Sequence, residues 1–137
     1  MKFGYIPGCF MESYGDSIPG LLSHAVIFNR GDETVEEVMQ ALVLQRYYLF
    51  AGAEDNVVKM LMVWNAKTVR PGKKALEINY VSGKGATKAL FPYAKETAIR
   101  LNCDRIEFIT HGRGAKLAEK FGFGTDRHYC VLDLTGF

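Results

Sequence analysis

The stretch Ser82-Gly83-Lys84-Gly85-Ala86-Thr87 gathers the sequence's best means of holding an anion. A glycine loop that leads into a helix presents free backbone N–H groups at the positive end of the helix dipole, and together these bind phosphate. Lys84 and Lys88 add charge beside it. The loop is not a Walker loop, because no Gly-Lys-Ser/Thr follows at the required spacing. It is not the dinucleotide fingerprint either, which needs a third glycine and the start of a parallel sheet. Many glycine turns join a strand to a helix and bind nothing, so the loop alone leaves both readings open. Cys9, Cys103 and Cys130 are odd in number and widely spaced, no CxxC pair exists, and the three histidines are dispersed. Neither a zinc site nor a disulfide framework is signalled, and no metal ligands are assigned. Cys103 and Cys130 read as core thiols.

The net charge is only +2, but it is unevenly spread. Residues 1–66 carry eight acids against four bases, and residues 67–137 thirteen bases against seven acids. Lys67, Arg70, Lys73, Lys74, Lys84 and Lys88 fall within 22 residues, with Glu77 the only acid among them. A basic stretch of this kind suits a polyphosphate ligand, a nucleic-acid backbone or an acidic protein face. A solvated basic surface is the plainer alternative. Aromatic residues are not interleaved with these lysines, which argues against nucleic acid. The 137 residues suffice for one domain with its own core, and 48% apolar with 23% charged residues is ordinary globular usage. No apolar run reaches the roughly 18 residues of a membrane helix, and Gly4 and Pro7 interrupt the N-terminus before any signal-peptide core can form. A cytoplasmic location is the expectation.

The elements that must position the loop follow from periodicity. Residues 1–31, rich in glycine and with Pro7 and Pro19, read as an irregular arm containing one short strand, His24–Phe28; residues 32–137 read as the single domain. Asp32 is expected to cap a helix running to about Arg46, with Val35, Val38, Met39 and Leu42 on its apolar face and acids in its first turns. Strands Tyr47–Ala51 and Val57–Ala66 follow, joined by a turn at Gly52–Asn56. In the second, Val58, Met60, Met62 and Trp64 face one side and Leu61 and Val63 the other, which implies a central strand covered on both faces. After a loop at Lys67–Lys74, with Pro71-Gly72 as a turn signal, a third strand Ala75–Val81 alternates Leu76, Ile78 and Tyr80 against Glu77 and Asn79.

The glycine loop then opens a helix whose buried stripe is Leu90, Ala94, Ala98 and Leu101, with Pro92 inside it and Asn102 ending it. Strand Asp104–Thr110, helix Gly114–Phe121 and strand Arg127–Leu134 complete the chain. The fold class is α+β: a mixed sheet in which an antiparallel meander is followed by strand-helix-strand-helix-strand.

From Gly85 through LFPYAKETAIRLNCDRIEF to LAEKFGF (Leu117–Phe123), the chain resembles the GNAT superfamily of acyl-CoA N-acetyltransferases. That family places Arg/Gln-x-x-Gly-x-Gly/Ala after a strand, then helix, strand, a helix ending in a Tyr-Glu-Lys-x-Gly-Phe-like stretch, and a last strand. The resemblance covers about residues 32–134 and is nearest to the small divergent GNAT-like proteins of bacteriophages, which keep a Gly-Lys-Gly-Ala loop and a Gly-Arg-Gly segment. It implies acetyl-CoA as cofactor, pantetheine along Asn79, Tyr80 and Val81, and the diphosphate at Gly83, Lys84, Gly85, Ala86 and Thr87.

Departures from the family pattern bear on the chemistry. Ser82 stands where Arg or Gln opens the loop, and Thr87 stands at the second Gly/Ala. Ala118 occupies the place of the tyrosine that protonates the departing thiolate in many members. Transfer from acetyl-CoA needs a base for the amine and donors for the oxyanion. By the resemblance Glu77 is the base candidate; the plainer reading makes it a solvent-side strand residue or a partner of Lys73. His111 titrates near neutrality and is a second candidate, against a role as a helix cap. Tyr129 would replace the missing acid, against a half-buried strand tyrosine. Two functions are therefore expected. One is an N-acetyltransferase acting on an unspecified amine. The other is a non-catalytic GNAT-fold phage protein, a virion component or host-interaction factor, touching protein through residues 67–88 or the N-terminal arm.

Overall fold

The computed structural model describes residues 1–28, 33–109, 124–126 and 129–134. Strand β1 (Lys2–Ile6) leads through a 3₁₀ helix at Gly8–Tyr14 into α1 (Ser17–Phe28) and α2 (Val35–Val43). Then come β2 (Tyr48–Glu54), β3 (Val57–Arg70), β4 (Lys73–Ser82), α3 (Ala86–Arg100), β5 (Arg105–Ile109), β6 (Gly124–Asp126) and β7 (Tyr129–Asp133). These strands form one sheet in the order β1-β2-β3-β4-β5-β7-β6. Only β4 and β5 run parallel; every other neighbouring pair is antiparallel. The α+β class, with a meander that gives way to a crossover, is as expected. Among the described residues no helix is long and apolar enough to cross a membrane.

The sheet is buried on both faces. On one, α3 lays Ala86, Leu90, Phe91, Ala94 and Ala98 over Met62, Trp64, Leu76, Ile78 and Ile106. On the other, Ile18, Leu22 and Ala25 of α1 join Val38 and Leu42 of α2 over Leu49, Leu61 and Val63. Pro92 lies inside α3 yet points to solvent, so the helix stays continuous from Ala86 to Arg100. Asn102, at φ 58°, takes the left-handed conformation just past the helix end, a geometry that asparagine tolerates.

Several expectations are corrected. Residues 1–28 are not an irregular arm: β1 pairs with β2 along its whole length, and His24–Phe28 is the last turn of α1. The reason is that Pro19 lies in the first turn of that helix, where its missing N–H has no intrahelical partner to lose. Ile18, Leu22 and Ala25, spaced by four and three, then supply a buried stripe. Helix α2 is capped by Thr34, which forms a reciprocal capping box with Glu37 (Glu37 N to Thr34 Oγ1 3.1 Å, Thr34 N to Glu37 Oε1 3.2 Å). Asp32 lies outside the described residues. The turn after β2 narrows to Asp55-Asn56, both at positive φ. The loop at Lys67–Lys74 is mostly strand: β3 continues to Arg70, β4 begins at Lys73, and Pro71-Gly72 alone makes the turn. Strand β6 has no counterpart in the sequence reading, and the helix expected at Gly114–Phe121 lies outside the described residues.

Besides an irregularity at Val69 beside the Pro71-Gly72 turn, two bulges break the expected alternation. Gly52 pairs with Met60 and Ala53 with Val58, so Lys59 is an extra residue and Val58 joins the α1/α2 core instead of the α3 core. Val63 pairs with Tyr80 and Trp64 with Ile78, so Asn79 is extra and Tyr80 crosses to the face opposite Ile78. One inserted residue reverses the facing of everything beyond it.

Candidate functional site

The second bulge lies where β4 parts from β5. The two strands pair from Ala75 with Arg105 to Ile78 with Phe108 and no further, although β4 runs on to Ser82. Its other edge stays paired with β3 as far as Ser82 with Leu61. From Asn79 onward, then, β4 has no described strand beside it on the β5 side. Phe108 is buried in the α3 core and Tyr80 points to the α1/α2 face, so the two large side chains at the point of divergence do not fill it from the same side.

The gap leads to the glycine loop. Gly83 has φ 102°, and a Cβ there would lie 2.5 Å from the carbonyl oxygen of Lys59 and 2.6 Å from the Cα of Met60. The first bulge in β3 is thus pressed against the loop, and only glycine fits. Gly85 also has positive φ, 75°, but a Cβ there would meet nothing within 4 Å. It is the N-cap of α3, it has no side chain to cap the helix, and the first helical bond runs from Ala89 N to Gly85 O at 3.0 Å. Gly83, Lys84, Gly85 and Lys88 are exposed, while Ala86 is buried against the sheet. The Ala86 N–H turns back to Gly83 O at 3.2 Å, but the helix start has no side-chain cap and has open space beside a glycine, which suits an anion. Thr87 is half-buried.

The face of the sheet opposite α3 carries a polar floor. Glu77 is ion-paired with Lys67, not with Lys73. The Lys67 ammonium also sits 2.7 Å from Glu107, a carboxylate that is only 3% exposed, and Arg105 pairs with Glu107 on its other side. Burial pulls the Lys67 pKa down, but its hydrogen bonds to Glu107 and Glu77 outweigh that and hold it above the ordinary lysine value. Asn79 donates to Asn65 Oδ1 at 2.6 Å. Glu33 Oε1 accepts from Tyr47 at 2.7 Å and from Tyr80 at 2.5 Å. Burial, then the bond to Glu33, pushes the Tyr47 phenol well above its usual range. A cavity of about 300 Å³ lined by Glu33, Glu37, Gln40, Arg46 and Tyr47 opens beside these groups.

Of the expected site residues, the structure brings Asn79, Tyr80, Val81 and the glycine loop into one continuous run at the gap. Their side chains divide, however, since Tyr80 turns to Glu33. Glu77 lies one step before the gap, where β4 and β5 are still paired. His111 lies outside the described residues; the backbone of Tyr129 pairs with Ile109 in β7, and its side chain lies outside them as well. Cys103 is buried, and burial raises its thiol pKa, which fits a core thiol. The basic stretch is two groups and not one surface: Arg70 at the end of β3 and Lys73 at the start of β4 flank one turn, and Lys84 and Lys88 lie beyond the far end of β4, roughly 30 Å away at 3.3 Å per residue. Lys67 is spent on the carboxylates and Lys74 reaches Leu101 O at 3.3 Å. Sequence reading missed Glu33, Tyr47, Asn65, Lys67 and Glu107 as members of this floor. Their partners lie far along the chain, and no local pattern announces them.

No protein-family model matches the sequence, and no curated protein matches it. Solved structures do match. An aminoglycoside 6′-acetyltransferase type Ii superposes with a TM-score of 0.73 over 97% of each chain at 12% identity. A Bacillus subtilis acetyltransferase in complex with CoA gives 0.68 over 97% of this chain and 98% of its own, at 20% identity. The ribosomal-protein-alanine N-acetyltransferase from Brucella melitensis biovar Abortus 2308 gives 0.67 over 92% and 94%, at 14% identity. What is shared at these identities is the path of the chain, and the protein has the GNAT fold of N-acetyltransferases.

Proposed function

We propose that the protein binds acetyl-CoA in the gap between β4 and β5 and transfers the acetyl group directly to an amine. The observation that carries this reading is the helix start at Gly85: without a side-chain cap, at positive φ, and with open space where a side chain would stand. The diphosphate would sit at the glycine loop, against the loop amides other than that of Ala86, which is bonded to Gly83 O at 3.2 Å, with Lys84 and Lys88 screening its charge. The pantetheine amides would pair with β4 at Asn79 to Val81, along the edge from which β5 has parted, as an added strand does. Bound there, the cofactor supplies an activated acyl carbonyl. The chain would supply orientation of the cofactor along β4 and at the start of α3.

A second reading, a non-catalytic GNAT-fold protein acting as a virion component or host factor, is favoured by one pairing. Glu77, the base candidate, is ion-paired with Lys67, so its carboxylate is already engaged by a neighbouring side chain. With Ala118 at the thiolate-protonating position, that reading keeps cofactor binding and drops turnover.

Calorimetry with acetyl-CoA and desulfo-CoA tests the proposal. Both ligands should bind, and Gly85→Glu should abolish binding by placing a carboxylate where the diphosphate approaches. An absence of heat and of any thermal shift at millimolar ligand overturns the reading. Acetyl-CoA bound without turnover across a panel of amines selects the non-catalytic form.

A further inference from the structure

The two edges of the sheet are built differently. Among the described residues, β6 closes one edge with three residues and ends on Asp126. A short, charged strand is one way proteins blunt an edge. The other edge, β1, has five residues and pairs with β2 in unbroken register. It has no proline and no bulge, and its one charge, Lys2, is at its end. No described element lies on its outer side.

Beside this edge the α3 face is uncovered. Met1, Phe3 and Tyr5 remain 53%, 42% and 45% exposed. A row of rings also runs outward across the sheet and stops there. Trp64 stacks on Tyr48 at 4.8 Å, Tyr48 meets Tyr5 at 6.2 Å, and Tyr5 ends the row half in water.

From these features we propose that β1 pairs antiparallel with β1 of a second copy, about a twofold axis through Gly4. The sequence of the strand is complementary to itself in this register. Phe3 stands opposite Tyr5 of the second copy and Tyr5 opposite its Phe3, so both aromatic rows continue across the axis; aromatic cross-strand pairs of this kind are favourable. Lys2 stands opposite Ile6 of the second copy, so like charges do not meet. Gly4 faces its own mate on the other side of the sheet, where a side-chain carbon added to it would meet nothing within 4 Å.

The area is adequate for a weak, specific dimer. Three half-exposed large side chains, at roughly 150–250 Å² each, place roughly 200–350 Å² of apolar surface on each copy. With the main chain of the strand added, the pair buries on the order of 1,000 Å², the low end of specific interfaces. Closed twofold pairing also satisfies both edges at once, which addition of an unrelated peptide would not require.

The test uses the full chain without ligand, so it is independent of the acetyl-CoA reading. Sedimentation velocity should show a reversible monomer–dimer equilibrium with a dissociation constant in the micromolar range. Tyr5→Lys should weaken it at least tenfold with an unchanged melting temperature. In a Cys9→Ser background, Gly4→Cys should oxidise to a covalent dimer, because directly opposed residues in antiparallel strands lie at about 4.5–5.5 Å between Cα atoms, within disulfide range. Lys2→Cys in the same background should stay reduced, since its own mate lies about four residues, or roughly 13 Å, away along the strand. A chain that is monomeric at every concentration overturns the proposal. So does a dimer undiminished by Tyr5→Lys, or equal cross-linking from positions 2 and 4.

Discussion

The two halves of β4 behave oppositely although they are one strand. Up to Ile78 it is zipped on both sides, and on the α1/α2 face its Glu77 is tied into the Lys67, Glu107 and Arg105 charges. From Asn79 it keeps β3, loses β5, and changes the facing of its side chains. One extra residue marks the boundary between a half paired with strands on both sides and a half with no described strand on the β5 side. That boundary coincides with a bulge, not with a change in composition. Leu76, Ile78, Tyr80 and Val81 are equally strand-like, and the strand is continuous through them.

The largest effect that would sharpen this contrast is at the end of the open half. Gly83→Val forces a side chain into the Lys59 carbonyl at a φ that disfavours it, and should cost about 3 kcal/mol or more in urea unfolding. Gly85→Ala meets only the backbone strain and should cost about 1 kcal/mol. Equal losses at the two glycines would contradict the packing of the loop on the β3 bulge.

Next is the closed half. Lys67→Met leaves buried Glu107 with Arg105 alone and releases Glu77, for a loss of about 2–3 kcal/mol after allowance for the partial exposure of the lysine. Because the Lys67 pKa is raised on folding, its contribution is fully present below the ordinary lysine value near 10.5 and fades as pH climbs through the raised one. The stability gap between wild type and Lys67→Met should therefore be flat from neutrality upward and close on the alkaline side only in strong alkali. A gap that closes between neutrality and the ordinary lysine value would place the stabilising proton elsewhere.

The smallest effect is just past the bulge. Tyr80→Phe removes one of the two hydrogen bonds to Glu33 and should cost about 1 kcal/mol, with the Tyr47 bond retained. In an absorbance titration Tyr47 should be among the last phenols to ionise, above the usual value of 10.0. If Tyr80→Phe instead costs as much as a core truncation, the strand does not reverse its facing at Asn79.

Much of the fold is legible in the sequence because it is local. The stripe Leu90, Ala94 and Ala98, the Pro71-Gly72 turn and the glycine loop announce themselves within a few residues of each other. The N-terminal reading fails for the complementary reason: Lys2–Ile6 has no alternation that marks a strand, and it is one because β2 offers it an edge. Periodicity places Tyr80 on the wrong face because alternation assumes an unbroken register, and Asn79 gives no sign in its own residue type that β3 will skip it.

What the amino-acid sequence determined by itself is the supply of parts: which segments are helix or strand by period, where glycine frees the backbone, and where the bases are placed along the chain. Tertiary structure decided which of those parts meet. It split the basic stretch between two ends of β4, committed Lys67 to Glu77 and Glu107, and turned Tyr47 and Tyr80 onto Glu33. The physical reason is range: periodicity and capping act over three or four residues, whereas these contacts join residues 10 to 47 apart in sequence and exist only once the strands have found their register.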